Sequence, residues 1–97
     1  MRIIARKTLV QFWLANPRSQ GQHEAWYAEA DAANWTSPAD VKAKYGSASI
    51  LKDGRVVFNI CGNEYRLVVW INYGFSTIYI RFIGTHKDYD KIDAQTI

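Results

Sequence analysis

The stretch Arg55-Val56-Val57-Phe58-Asn59-Ile60-Cys61-Gly62-Asn63-Glu64-Tyr65-Arg66-Leu67-Val68-Val69-Trp70-Ile71 decides the fold. Apolar side chains recur at every second position on both sides of a short polar centre. Val56, Phe58 and Ile60 alternate with Arg55, Val57 and Asn59, and Tyr65, Leu67, Val69 and Ile71 alternate with Glu64, Arg66, Val68 and Trp70. A period of two marks half-buried strands. Cys61-Gly62-Asn63-Glu64 reads as the turn between them, with Gly62 and Asn63 as its two central residues, because both types tolerate positive φ. Such a turn sets Ile60 opposite Tyr65, Asn59 opposite Arg66 and Phe58 opposite Leu67. Opposed side chains share a face. The alternating apolar set therefore forms a core face, and Arg55, Asn59, Glu64 and Arg66 stand on the other face among Val57, Val68 and Trp70.

Toward the C-terminus, a looser turn at Asn72–Ser76 leads into a third strand from Thr77 to Ile83. With Ile78, Ile80 and Phe82 facing the core, Tyr79 and Arg81 join Arg66 on the open face. Two arginines, an asparagine and aromatic rings on one exposed surface suit a phosphate backbone and stacked bases. The alternative is that Arg66 and Arg81 pair with Glu64 and other surface acids. After Gly84, Thr85-His86-Lys87-Asp88 has the form of a capping box: the Thr85 hydroxyl bonds the backbone of residue 88 and the Asp88 carboxylate reaches back. The spacing predicts a helix from Thr85 to about Asp93, with an anion-attracting N-terminus. His86 stands at its first position, and Tyr89 and Asp90 follow three and four residues on, on the same side.

Toward the N-terminus, Arg2-Ile3-Ile4 suits a short first strand. From Arg6 to Ala15 the residues Leu9, Val10, Phe12, Trp13 and Leu14 make a broad apolar stripe, closed by Asn16-Pro17. Gln22 to Asn34 reads as a second helix, with Trp26, Ala30 and Ala33 at helical spacing. Ser37-Pro38-Ala39-Asp40 opens a third, with Ser37 as its cap, ending near Tyr45-Gly46. His23, in the second helix, is assigned to the surface. Helices first, then an antiparallel meander, then a short helix define an α+β class: N-terminal helices packed on a three- to four-stranded, mainly antiparallel sheet, with residues 1–97 as one domain.

Composition narrows the function classes. A hydrophobic fraction of 48% with four Trp, six Tyr and four Phe supports a packed core, not a disordered chain. The single cysteine, Cys61, allows neither an internal disulfide nor a thiolate metal site. The apolar run Leu67–Ile71 is far short of a membrane span, and the first residues lack the apolar core of a signal peptide. A cytoplasmic protein with no membrane partner, metal or cofactor is expected. The net charge of +3, with basic residues spread over both halves, permits nucleic-acid binding without demanding it.

RNA can be cut without a metal when its own 2′-hydroxyl attacks the adjacent phosphate. That needs a base for the 2′-proton, an acid for the leaving 5′-oxygen and cations around the phosphorane. Histidine serves either proton role near neutrality, arginine holds phosphate with two parallel bonds, and tyrosine offers a stacking surface. His86, Arg66 and Tyr89 are the candidates for these roles, with Asn59, Arg81, Lys87, Arg55 and Lys52 as candidate RNA contacts. Asp90 is suited equally to stabilising the helix, fixing His86 or acting in catalysis.

The segments Val56-Val57-Phe58-Asn59-Ile60-Cys61-Gly62-Asn63-Glu64-Tyr65-Arg66-Leu67-Val68-Val69 and Tyr79-Ile80-Arg81-Phe82-Ile83-Gly84-Thr85-His86-Lys87-Asp88-Tyr89-Asp90 together resemble HigB-type toxins of the RelE superfamily. The resemblance covers about half the chain directly, and the helical N-terminal half agrees in length and order. It implies a RelE-like fold and ribosome-dependent cleavage of mRNA. It also implies a cognate helix-turn-helix antitoxin, through which the pair binds operator DNA. By the same resemblance, Arg66 matches a phosphate-contacting arginine, His86 a position that assists proton transfer, and Tyr89 a tyrosine that orients or stacks the target nucleotide. The RelE branch carries lysines where this chain has Phe58-Asn59-Ile60, so the general base stays unassigned. Lys52 and Arg55 are the cationic substitutes considered, and Glu64 a further base. The alternative function is an RNA- or ribosome-binding translation inhibitor that does not cut.

Overall fold

The computed structural model describes residues 1–97. Strand β1 (Arg2–Ile4) is followed by helix α1 (Arg6–Ala15), a 3-10 turn (Pro17–Ser19), α2 (Gln20–Ala32) and α3 (Pro38–Lys44). Then come β2 (Ser49–Ile50), β3 (Arg55–Ile60), β4 (Tyr65–Asn72), β5 (Thr77–Thr85) and α4 (His86–Tyr89). The sheet has five strands in the order β1-β5-β4-β3-β2, where three or four were expected. The β1–β5 pair is parallel and the others antiparallel. The extra strand is β2, whose two residues extend the outer edge of β3. The α+β class with N-terminal helices and a short C-terminal helix is as read from the sequence. No helix is long and apolar enough to cross a membrane.

The β3–β4 register is the one the periodicity required: Ile60 faces Tyr65, Asn59 faces Arg66 and Phe58 faces Leu67. The turn itself differs. Positive φ falls on Cys61 (55°) and Gly62 (65°), not on Gly62 and Asn63. The Cys61 N–H donates to Gln22 Oε1 at 2.6 Å, so it is taken from the pairing with Glu64 that a two-residue loop would have made.

Helices α1 to α3 cover one face of the sheet. Leu9 and Trp13 of α1, Trp26 and Ala30 of α2 and Val41 of α3 pack on Val56, Phe58, Ile60, Tyr65, Leu67, Val69 and Ile71. Phe58 is the hub. Its ring lies 5.4 Å from Trp26 and 5.1 Å from Tyr45 in edge-to-face contact, and 6.3 Å from Trp35 in a stack. Each such side chain, fully buried, contributes about 1.5–3 kcal/mol of transfer free energy. His23 belongs to this core. It is fully buried, not on the surface, because Ser19, His23, Trp26 and Ala30 continue one inward stripe of α2.

Two helix starts depart from expectation. Ser37 makes no side-chain cap; Asp40 instead reaches back to the N–H (2.9 Å) and hydroxyl (3.0 Å) of Thr36. At α4 the Thr85 hydroxyl accepts the Asp88 N–H at 3.1 Å as expected, but the Asp88 carboxylate makes no return bond. Helix α4 stops at Tyr89, not near Asp93, because the chain turns there to lay Ile92, Ala94 and Ile97 on the sheet.

Strand β5 carries the largest correction to the faces. Val68 pairs with Phe82 and Val69 with Ile80, leaving Arg81 as the extra residue of a β-bulge. One inserted residue inverts the alternation beyond it. Ile78 and Ile80 face the helices as expected. Past the bulge, Ile83 turns to the helical core while Phe82 turns to the opposite face.

A candidate functional site at the end of the sheet

The face away from the helices is not open along its length. Residues 90–97 cross it as a strap, and Val57, Val68 and Ala94 form a second, small core with Leu51, Phe82, Tyr89, Ile92 and Ile97 around it. The strap is fastened by Gln95, whose side-chain amide accepts from the Lys52 N–H (2.8 Å) and donates to the Lys52 carbonyl (2.7 Å). Arg55 adds a second fastening through Nε and a terminal nitrogen to the Ile97 backbone oxygen, at 3.2 and 3.0 Å. Two parts of this face stay accessible: the stacked Trp70 and Tyr79 rings toward the β4–β5 turn, and the end toward the β3–β4 turn.

At the β3–β4 end the structure sets Arg66 against Tyr89 and holds the start of α4, at His86, beside the turn. Arg66 pairs across the sheet with Gly84, and Tyr65 with Thr85, so the register delivers the start of α4 beside Arg66. The Glu64 carbonyl accepts the His86 N–H at 3.0 Å and ties α4 to the turn. The Arg66 guanidinium carbon lies 5.9 Å from the centre of the Tyr89 ring. The Tyr89 ring in turn leans on Phe82 at 6.5 Å. Gly84 makes this arrangement fit: a Cβ there would come within 2.7 Å of the Phe82 ring. The bulge is thus what supplies Phe82 to this face, under Tyr89.

The charges of the site are free of acid partners. Arg66 donates to the carbonyls of Asn63 (3.2 Å) and Tyr65 (3.4 Å), and no carboxylate lies within ion-pair reach of it, nor of Arg81 or Lys87. The alternative in which Glu64 neutralises these arginines does not hold. Glu64 is taken by Arg18 at 2.7 Å. Asn59 lies opposite Arg66 and donates to the Ser47 carbonyl at 3.2 Å. Arg81 is exposed in the bulge, and Lys87 is exposed beside His86.

Arg55 and Lys52 are not part of this cluster. Arg55 faces Trp70, four strand positions from Asn59, or about 13 Å at 3.3 Å per residue. Its guanidinium lies 6.0 Å from the Trp70 ring centre and holds the strap, so it is committed to structure. The expected anion site at the start of α4 is also curtailed. The helix is one turn long, and the N–H groups of His86 and Asp88 are already bonded to Glu64 and Thr85.

The His86 side chain is half exposed, with Nδ1 3.2 Å from Asp90 Oδ2. At Cys61, in the turn, burial and then the Glu64 charge push the thiol above its usual range, which disfavours the thiolate a nucleophile needs. No three His, Cys, Asp or Glu side chains converge on a point that would hold a metal ion. Arg18 was missed in the sequence because nothing local announces that the turn after α1 packs beside a hairpin more than forty residues away.

The profile of a family described as the RelE-like toxic component of a toxin–antitoxin system matches residues 19–92, which include every element of the site. The chain belongs to this HigB toxin family, and membership implies an antitoxin as its partner. Among curated proteins it is similar to the mRNA interferase toxin HigB of Escherichia coli (strain K12), at 30% identity over 97% of this chain and 92% of that protein. Proteins called mRNA interferase HigB, from Escherichia coli O157:H7 and Shigella flexneri, match with the same identity and coverage.

Proposed function

We propose that this toxin is an endoribonuclease that cuts mRNA on the ribosome, in the cytoplasm, by metal-free general acid–base chemistry. The observation that carries the reading is Arg66, a guanidinium with no acid partner, set against the Tyr89 ring beside a half-exposed His86. The name mRNA interferase borne by the relatives supports the substrate class.

In this reading the Arg66 fork holds the scissile phosphate, and Tyr89 stacks on an adjacent base. The 2′-oxygen attacks phosphorus as its proton leaves, the bond to the 5′-oxygen breaks, and that oxygen takes up a proton. His86 carries one of these protons, since imidazole gives and accepts near neutral pH. Arg81, Lys87 and Asn59 border the path of the backbone. Neutralisation falls to a cognate helix-turn-helix antitoxin, through which the complex reaches operator DNA.

Primer extension of cellular mRNA after brief induction tests this. New 5′ ends at fixed positions within codons, lost in His86→Ala, are expected. Arrested translation on intact mRNA would instead identify an inhibitor that binds RNA or the ribosome without cutting.

A further inference from the structure

One more side chain at this end of the sheet is aimed at the group that moves the proton. We infer that Asp90 is a positioning residue for His86: it accepts a hydrogen bond from Nδ1–H, fixes the neutral imidazole in that tautomer, and leaves Nε2 to exchange a proton with the RNA. The inference rests on the ribonuclease reading above.

The geometry begins with the 3.2 Å contact between His86 Nδ1 and Asp90 Oδ2. The two atoms stand at ion-pair distance, and an ionised carboxylate only accepts, so a hydrogen bond formed across this contact places its proton on the ring nitrogen. Asp90 is also the one carboxylate within ion-pair reach of His86: Glu64 is engaged by Arg18, and Asp88 packs over Gly84. The backbone beneath the pair is pinned at three places. The His86 N–H meets the Glu64 carbonyl, the Asp88 N–H meets Thr85 Oγ1, and the Asp90 N–H meets the His86 carbonyl at 3.1 Å. The two side chains therefore rise from adjoining turns of a fixed segment.

Helix stability does not account for the pair. A cation four residues before an anion is the less favourable order on a helix, and a carboxylate at the C-terminal end opposes the helix dipole. Both side chains are more than half exposed (51% and 60%), so their attraction adds little to folding. What the arrangement does provide is a fixed ring orientation with Nε2 free. When Nε2 takes the 2′-proton as the 2′-oxygen bonds to phosphorus, or gives a proton as the 5′-oxygen leaves, the Nδ1 proton stays in place. Asp90 then faces the positive charge that the ring carries after taking the 2′-proton or before giving one to the 5′-oxygen.

The test joins spectroscopy to kinetics on the full-length toxin. Long-range nitrogen–proton NMR spectra at alkaline pH, where imidazoles are neutral, should place the His86 proton on Nδ1. Asp90→Ala should release it to a mixture weighted toward Nε2, while Asp90→Asn, which keeps an acceptor oxygen, should retain Nδ1–H. On ribosomes programmed with a synthetic mRNA, Asp90→Ala should lower the saturating cleavage rate about tenfold or more with the half-saturating concentration unchanged. Asp90→Asn should recover part of that loss. Combined with His86→Ala it should add no further loss, because Asp90 acts only through the ring.

A wild-type ring protonated on Nε2, or an additive double variant, overturns the role of Asp90 alone. A wild-type toxin that halts translation without cutting overturns the ribonuclease reading, and the proton-transfer role with it.

Discussion

The two faces of the sheet are drawn from alternate residues of the same strands, yet they are covered by very different amounts of protein. On one side three helices bury a continuous cluster centred on Phe58, whose ring meets those of Trp26, Trp35 and Tyr45. On the other, an eight-residue strap fully buries only Val57 and Val68 of the sheet; Tyr89 packs partly against its small core, and Arg66 and His86 remain accessible beside it. The helical face buries most of the apolar side chains, and so most of the hydrophobic stabilisation. The strapped face can leave cations unpaired and rings half exposed because the fold does not depend on them. The two histidines make the same point: His23 is sealed against the rings of Phe12 and Tyr65, and His86 is out in solvent against a carboxylate.

The comparison can be broken most sharply with one residue type on both faces. Phe58→Ala should cost about 3–5 kcal/mol by urea denaturation, enough to unfold much of the protein at 37 °C. Phe82→Ala, whose ring is only half buried, should cost less than half as much. Equal costs would mean that the strapped face is as much a core as the helical one.

Arg66→Ala should lower mRNA cleavage about a hundredfold, as the loss of a charge-stabilising donor does. The unfolding free energy should change by no more than about 1 kcal/mol, as for a partly exposed side chain. A variant that fails to fold would place Arg66 with the structural residues.

His23 gives a pH signature to the helical face alone. Burial holds its imidazole below the usual range, so the folded form is neutral where the unfolded chain is already taking up a proton. Stability is therefore full above about pH 6.5 and falls as the pH drops toward the folded-state value. Its Nδ1 is 3.0 Å from the Ser19 carbonyl and its Nε2 has no partner, so no carboxylate offsets this loss. Denaturation midpoints between pH 7.5 and 5 should drop in the wild type, and His23→Gln should flatten that part of the slope. The smallest effect belongs to the strap. Gln95→Ala removes two exposed hydrogen bonds and should cost about 1 kcal/mol or less. Its clearer signature is faster amide exchange at Lys52 and through residues 92–97, with the helical core unchanged.

Much of this was legible before the structure. The Arg55–Ile71 alternation gave the hairpin, its register and its core face, and Thr85-His86-Lys87-Asp88 gave the cap of α4. The burial of His23 was legible too, had the stripe through Trp26 and Ala30 been extended back by one and two turns to His23 and Ser19. The cluster of Arg66, His86 and Tyr89 was visible as residue types but not as a place. Arg55 and Lys52 look the same in sequence as Arg66 and Lys87, and only their position under or beside the strap separates them.

Periodicity and turn chemistry are local, because they depend on residues a few positions apart and on backbone preferences that every chain shares. They were enough to determine the strand pairing of β3 with β4, the side of the sheet that must be buried and the start of the last helix. The bulge at Arg81, the strap over Val57 and Val68, the Arg18–Glu64 pair and the His86–Asp90 contact were decided by the tertiary structure. Whether a polar residue stands in solvent, holds a backbone oxygen or meets a carboxylate depends on which distant segment arrives beside it. That arrival is set by the burial of the whole chain and leaves no mark on the neighbouring residues.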